Sequence, residues 1–220
     1  MGGIVLDRID EQASPRYSIL QDSFSNRCQS TLDIEIKNHG RFGNTTCRGL
    51  RELERWQEHV TTSEFVVLEF GGNHSWRQIA DDPDGEHHPI TSLERFEEQY
   101  RQMIAKVREL GSKPVLLSLP PIIADRYFDM FTRSMDTARR SNVLRWLDGC
   151  VENITQWHEM YNLRLFKLSA SLNVPIIDIT PPFLFERNYR EMFCSDGIHP
   201  NARGHRLIAD AICNVAGKYL

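Results

Sequence analysis

An acid and a base stand three residues apart in the stretch CSDGIHPNARGH, as Asp196 and His199. A histidine can act as a general base near neutral pH because its ordinary pKa is about 6.5. A carboxylate bonded to its far ring nitrogen fixes the tautomer and stabilises the imidazolium. An Asp-x-x-His turn can place both side chains on one side of a loop. The spacing alone leaves a second interpretation open, a plain helix-entry loop with a surface histidine.

Two glycine-rich turns offer groups that can hold a developing negative charge. Gly43 in GRFGNTT can present an unhindered backbone N–H, and Asn73 in GGNHSW can direct its side-chain amide into a crevice. Together such donors would form an oxyanion hole for acyl transfer. Taken singly, each turn is better explained by the freedom that glycine gives a tight turn.

A nucleophile is harder to place, and the candidate is Ser23 in QDSFSN. For Ser23 to act as the nucleophile, RYSILQ must form a strand and FSNRCQSTL a short helix. The sequence favours one continuous helix instead, because Ser14 is a good N-cap and Pro15 suits the first helical position. An apolar stripe at helical spacing agrees, formed by Tyr17, Leu20, Phe24, Cys28 and Leu32. Ser23 then lies in mid-helix, facing solvent or bonded to a preceding carbonyl. Ser25 and Ser14 are weaker candidates still.

The elements that must position these residues alternate between short apolar strands and longer amphipathic helices. Strands are predicted over residues 32–37, 64–70, 113–119 and 173–179, and helices over 46–60, 92–110, 153–172 and 202–215. Residues 74–91 and 125–142 are predicted to be irregular loops. This alternation predicts one domain over residues 1–220 of the α/β class, a three-layer α/β/α fold with a parallel, flavodoxin-like sheet covered on both faces. Ligands bind at the carboxyl ends of such strands, where the three motifs fall.

Three ordered blocks, GRFGNTT, LEFGGNHSW and SDGIHPNARGH, resemble those of the SGNH, or GDSL-type, serine hydrolases. The resemblance implies that His199 is the base, Asp196 its partner, and Gly43 and Asn73 the oxyanion donors. It also implies hydrolysis of a small acyl or acetyl ester through an acyl-enzyme, with no metal or organic cofactor. In one departure from the family, His74 stands where Asp is usual, which alters the neighbour of Asn73.

The family places its nucleophile in Gly-Asp-Ser at the end of a first strand, and that strand precedes a helix like the one predicted here. Since GGIVLD resembles the segment after the nucleophile turn, we expect the strand to lie upstream of Met1. The chain would then be a shortened form or a member without its serine. Missing a central strand would expose sheet edges and leave the fold marginally stable. The alternatives are a catalytically inactive binding protein on this scaffold and, more weakly, a phosphate-binding domain.

Composition excludes several other classes of protein. The 220 residues are 40% hydrophobic and carry a formal net charge of −4, which gives no electrostatic reason to expect nucleic acid as a partner. No apolar run approaches the ~20 residues of a membrane span, and MGGIVLDRID does not resemble a signal peptide, so a cytoplasmic protein is expected. The five cysteines form no CxxC pair, and His87 and His88 among acids have no ligand spacing, so no metal is expected. The oligomeric state is not readable.

Overall fold

A computed structural model describes residues 3–8, 16–71 and 76–216. Its strands are β1 (Ile4–Arg8), β2 (Arg16–Ile19), β3 (Phe65–Leu68), β4 (Lys113–Leu117) and β5 (Ile176–Ile177). Its α-helices are α1 (Phe24–Leu32), α2 (Thr46–Arg55), α3 (Gln57–Thr61), α4 (Trp76–Asp81), α5 (Leu93–Glu109), α6 (Ala124–Thr132), α7 (Thr137–Trp146), α8 (Asn153–Leu172), α9 (Thr180–Leu184) and α10 (Ala202–Ala216). A short 3-10 helix covers Tyr189–Met192.

The strands form two separate sheets. β3, β4 and β5 make a parallel sheet in that order, with Phe65 opposite Lys113 and Leu116 opposite Ile176. β1 and β2 form an antiparallel pair of their own. Parallel neighbours need a crossover, which α4 and α5 supply between β3 and β4, and α6 to α8 between β4 and β5.

The side chains of β4 show that the parallel sheet is covered on both faces, because successive residues of a strand point to opposite sides. Leu116 belongs to one apolar cluster, and Val115 and Leu117 belong to another. The first cluster includes Phe96, Tyr100, Met103, Leu165 and Leu168 from α5 and α8. The second includes Ile179, Phe183 and Phe193 from the segment between β5 and α10, and Ile208 from α10 itself. The predicted α/β class is confirmed.

Most predicted elements agree with the structure. The strands expected over 64–70 and 113–119 contain β3 and β4, and the one over 173–179 is shortened to β5. The helices expected over 92–110, 153–172 and 202–215 correspond to α5, α8 and α10. The helix expected over 46–60 is divided at Trp56 into α2 and α3. None of the helices described is long and apolar enough to cross a bilayer.

Three predicted segments are wrong in whole or in part. Residues 74–91 were expected to be an irregular loop, but Trp76–Asp81 forms α4. Residues 125–142 are helical rather than irregular, since Phe128 and Phe131 pack beside Trp76 and Asp136 caps α7 by accepting the Arg139 N–H at 2.8 Å. The strand expected over 32–37 is also absent, and the chain there is an irregular loop after the end of α1. Its backbone is held to α1 instead, through a bond of 2.9 Å from the Ile36 N–H to Gln29 Oε1.

The marginal stability that we expect from an exposed sheet edge stays a prediction. In the described part of the chain β3 pairs with β4 on one side and with no strand on the other. The side chain of Val67 on β3 is 53% exposed, although Val66 and Leu68 pack in the core. β2 lies next to β1 and not beside β3.

Candidate active site

Ser23 lies at the junction of a strand, a turn and a helix, so the continuous helix predicted from residue 14 is wrong. β2 ends at Ile19, the Ser23 N–H donates to the Leu20 carbonyl at 3.1 Å, and Ser23 is the N-cap of α1 with φ −69° and ψ 162°. Pairing of β2 with β1 overrides the helical propensity of this stretch. Ser14 and Pro15, on which that helix depended, lie outside the described residues.

Ser23 is also buried rather than on a solvent-facing helix surface, since only 1% of it is exposed. The start of β1 covers it closely, because a Cβ on Gly3 would lie 2.7 Å from Ser23 Cβ. The expectation of an upstream nucleophile depended in part on the helix interpretation and in part on the resemblance of GGIVLD to the segment after the nucleophile turn, and it stays a prediction. The strand, turn and short helix that a nucleophile at Ser23 requires are present at residues 16–32.

Asp196 and His199 form a buried hydrogen-bonded pair, as the Asp-x-x-His spacing predicts. Asp196 Oδ2 lies 2.7 Å from His199 Nδ1, while Oδ1 accepts the backbone N–H groups of Ile198 at 3.1 Å and His199 at 3.0 Å. Burial raises the pKa of Asp196, but the hydrogen bonds and charge of His199 outweigh it and leave that pKa below its usual value. The ionised carboxylate therefore holds the Nδ1 proton and leaves Nε2 as the basic nitrogen.

Gly197 locks this turn against the segment that follows β4. Its φ is +76°, and a Cβ there would lie 2.5 Å from the Ile123 carbonyl oxygen. The Ile123 N–H donates to the Gly197 carbonyl at 2.7 Å, and the Cys194 N–H donates to the His199 carbonyl at 2.8 Å. A glycine is needed here both for its left-handed backbone and for the close approach of α6.

The ring of His199 is in contact with two aromatic rings. No sequence motif predicted either of them to be part of the site. The Tyr17 and His199 ring centroids are 5.1 Å apart, and Phe42 stacks on His199 at 5.6 Å with an interplanar angle of 20°. Tyr17 and Phe42 also touch each other, at 4.6 Å. Burial raises the pKa of the Tyr17 phenol, and the negative charge of Asp196 raises it further. No local pattern marks either residue, because their partners are more than 150 positions away.

The glycine turn proposed for the oxyanion lies beside the base, since Phe42 directly precedes Gly43. Gly43 has φ +67°, in the left-handed region that favours glycine, and a Cβ there would meet no atom within 4 Å. Its surroundings are therefore open. Asn73 and His74, the other predicted oxyanion donor and its unusual neighbour, lie outside the described residues.

The Asp196–His199 pair and Ser23 are connected through contacts of α10, and not by a direct hydrogen bond. Among the described residues, the hydrogen bonds of Ser23 Oγ go to Ser25 Oγ at 3.1 Å and to the Asn26 N–H at 3.5 Å, and none reaches His199. α10 begins just after His199, and His205 on it accepts the Phe24 N–H at 3.4 Å, one residue from Ser23. The two halves of the site are thus neighbours with separate hydrogen-bond partners.

Other candidate ligands contribute nothing to this region. Within the described ranges no three His, Cys, Asp or Glu side chains are grouped to hold a metal ion. His88 is exposed and lies 3.3 Å from the equally exposed Glu86. In the part of the chain that the structure describes, no two cysteines are joined in a disulfide.

In a comparison with protein families, the chain matches the model of the GDSL-like lipase/acylhydrolase family over residues 12–207. The matched range includes Ser23, Gly43, Asn73, Asp196 and His199. A search of curated proteins found no match.

Several solved structures share the fold. A lipase/acylhydrolase from Enterococcus faecalis is 17% identical, with a TM-score of 0.60, over 100% of this chain and 92% of that one. An acetyl xylan esterase is 20% identical, with a TM-score of 0.60, over 90% of this chain and 92% of that one. A member of the lipolytic G-D-S-L family from Veillonella parvula is 16% identical, with a TM-score of 0.58, over 90% and 88%. At these identities the likeness concerns the fold. With a family match that spans most of its length, the chain belongs to the GDSL-like lipase/acylhydrolase family and is an ester hydrolase of that class.

Proposed function

We propose that the protein is a serine esterase that hydrolyses a small acyl or acetyl ester through a covalent acyl-enzyme. Ser23 Oγ attacks the ester carbonyl, and His199 Nε2 takes the proton that leaves Ser23. Asp196 orients the ring and stabilises the imidazolium. The observation that carries the proposal is the buried bond of 2.7 Å between Asp196 and His199, at the carboxyl-end side of the sheet.

The position of Ser23 supports its role as nucleophile. A strand–turn–helix junction holds a serine on a rigid bend and not on a mobile loop, and the helix N-terminus behind it favours negative charge. Attack requires the Ser23 hydroxyl to turn from Ser25 toward Nε2 of His199 when substrate is present. Such tightening of catalytic hydrogen bonds on substrate binding is common.

Gly43 and Asn73 are proposed as the donors to the oxyanion. The left-handed turn at Gly43 follows Phe42, whose ring contacts His199, so its N–H is available near the reacting carbonyl. The acyl-enzyme is then released by water, with His199 acting first as base and then as acid. The roles of these residues need no metal ion, and none is assigned.

A small ester is proposed as substrate because the base is flanked by two rings, Tyr17 and Phe42, that limit the space beside it. The acetyl xylan esterase that shares the fold makes acetylated sugars a reasonable first set to test. Short acyl esters such as p-nitrophenyl acetate provide the general assay.

A non-catalytic binding protein on the same scaffold is the second candidate. The observation that favours it is the absence, among the described residues, of a hydrogen bond between Ser23 and His199. A fluorophosphonate probe separates the two candidates, because it labels only an activated serine.

The decisive experiment combines p-nitrophenyl acetate turnover with mass spectrometry of the probe-labelled protein. The wild-type chain should turn over the ester and carry the probe on Ser23, and both Ser23→Ala and His199→Ala should abolish turnover. Ser30→Ala is the control, since Ser30 is an exposed serine on the same helix that bonds the Asn26 carbonyl at 3.1 Å. Full activity of Ser23→Ala would reject Ser23 as nucleophile, and no labelling of the wild-type chain would favour the binding protein.

A further inference from the structure

A chain of hydrogen bonds runs from the loop that carries Gly43 to the proposed nucleophile. The Gly40 N–H donates to Asn38 Oδ1 at 2.9 Å, and Asn38 Nδ2 donates to Ser25 Oγ at 3.2 Å. Ser25 Oγ lies 3.1 Å from Ser23 Oγ. Both serines are buried, with 5% and 1% of their surfaces exposed. Water therefore competes little for these bonds.

The first member fixes the direction of the first two bonds in this chain. The Gly40 N–H can only donate, so the Asn38 atom that faces it must be the oxygen. The amide nitrogen of Asn38 then faces Ser25 and must donate to it. Because Ser25 accepts that bond, its single hydroxyl proton is not used on Asn38 and can be donated to Ser23 Oγ, although in the resting protein either serine can be the donor of the bond between them.

Ser23 Oγ accepts the backbone N–H of Asn26, which lies 3.5 Å away. Once the single proton of Ser23 is directed to His199, the bond between the two serines can persist only with Ser25 as its donor. In that arrangement Ser23 Oγ accepts two hydrogen bonds. When that proton leaves, two donors already point at the oxygen, and hydrogen bonds to a charged oxygen are stronger than those to a neutral one.

We propose that Ser25 is a further catalytic residue, donating a hydrogen bond to the Ser23 oxygen as it gains negative charge, and that Asn38 is a positioning residue that keeps the Ser25 proton available for that bond. The proposal rests on Ser23 being the nucleophile. In the acylation step the Ser23 proton passes to His199 Nε2, and Oγ forms its bond to the carbonyl carbon, whose π electrons move to the carbonyl oxygen. Ser25 keeps its own proton throughout.

The test compares Ser25→Ala, Ser25→Thr and Ser30→Ala in kcat, KM and the rate of fluorophosphonate labelling. Ser25→Ala should lower kcat and the labelling rate about tenfold, the size expected for one hydrogen bond to a charged group, with KM unchanged. Ser25→Thr keeps the hydroxyl and should restore most of the rate. Ser30→Ala removes a serine from the same helix and should leave all three quantities at their wild-type values. Thermal melts of each variant show whether it is folded.

Asn38→Asp tests the direction of the chain. A carboxylate at this position can only accept, so Ser25 would donate to it and would turn its oxygen toward the Ser23 proton, drawing that proton away from His199. We expect Asn38→Asp to lower kcat at pH 7 at least as much as Ser25→Ala does. In the Ser25→Ala background it should have no further effect, since its influence passes through Ser25.

Two results would overturn this inference while leaving the esterase intact. One is a folded Ser25→Ala variant with the wild-type kcat and labelling rate while Ser23→Ala and His199→Ala are inactive. The other is additive loss in the double variant, which would show that Asn38 acts independently of Ser25. An active Ser23→Ala variant would instead reject the proposed function itself.

Discussion

The ring of His205 lies nearly parallel to that of Phe24, with the centroids 5.7 Å apart, and His205 Nδ1 accepts the Phe24 N–H at 3.4 Å. This acceptor role requires the neutral ring with its proton on Nε2. Burial lowers the pKa of His205 to about 4. A fully buried histidine thus supports the first turn of α1, next to Ser23.

Stability should therefore fall at acid pH partly through His205. Its pKa is about 4 in the folded protein and near 6.5 in the unfolded chain, so the unfolded state binds the proton more readily between these values. The free energy of unfolding is unaffected by this group above pH 6.5 and decreases as pH falls from 6.5 toward 4. Between pH 7 and pH 4.5 the loss is about 2 kcal/mol.

Urea unfolding of the wild-type and His205→Asn proteins at both pH values checks this. Asparagine cannot be protonated, and its oxygen can replace Nδ1 as acceptor. The variant should lose about 2 kcal/mol less than wild type on acidification. Equal losses in the two proteins would show that His205 is not the acid-sensitive group.

Gly43→Ala should reduce activity well beyond its effect on stability. Its φ of +67° strains any L side chain by about 1 kcal/mol, although no atom obstructs a Cβ. Gly111 is a matched control, since it has φ +87°, equally open surroundings and a position at the end of α5. Both alanine variants should lose similar stability in thermal melts, but only Gly43→Ala should lower kcat/KM. Equal and unchanged activities would remove Gly43 from the site.

Phe42→Ala should make the ring of His199, the proposed base, more accessible to reagents in solution. The Phe42 ring stacks on His199 while itself being 55% exposed, so its removal opens one face of the imidazole. Modification of His199 by diethyl pyrocarbonate, followed by mass spectrometry of its peptide, should become several-fold faster. Phe185→Ala is the control, because Phe185 is 86% exposed and lies in α9's C-cap. An unchanged rate in Phe42→Ala would contradict the shielding.

Asp196→Asn should lower kcat by a factor on the order of 10⁴, because asparagine cannot stabilise the imidazolium or hold the same tautomer of His199. Asp178→Asn is a comparable change outside the pair, since Asp178 accepts the Ser118 hydroxyl at 2.8 Å and the Thr180 N–H at 3.1 Å. Steady-state turnover of p-nitrophenyl acetate compares the two. A similar small loss in both would mean that Asp196 has a structural role only.

The hydrogen-bonded pair of Asp196 and His199 could be predicted from sequence because the hydrogen bonds that form it are local. Asp196 and His199 share one turn, and the backbone N–H groups that fix the carboxylate belong to the same turn. The α/β class was equally accessible, since buried strands and amphipathic helices have distinct periods.

The secondary structure around Ser23 was predicted wrongly, because the local sequence pattern favours a helix while pairing with a distant strand makes part of the segment a strand. The apolar residues from Tyr17 onward fit a helical period, but Arg16–Ile19 pairs with β1 and the helix begins only at Phe24. Tyr17 and Phe42 were missed for a related reason. Their rings meet His199 across most of the chain, and no short-range pattern records such a contact.

The docking of α10 has a consequence for the protein while it is being made. This helix follows His199, the proposed base, and holds α1, which begins after the proposed nucleophile Ser23, through His205 and through a contact of 3.8 Å from Cys28 Sγ to the Ala209 carbonyl. A ribosome adding 5–20 residues each second needs roughly 10–35 s to go from Ser23 to His199. Throughout that time the nascent chain carries the proposed nucleophile without its proposed base. With Ser23 and His199 in the proposed roles, hydrolytic activity begins only after α10 has been translated and packed.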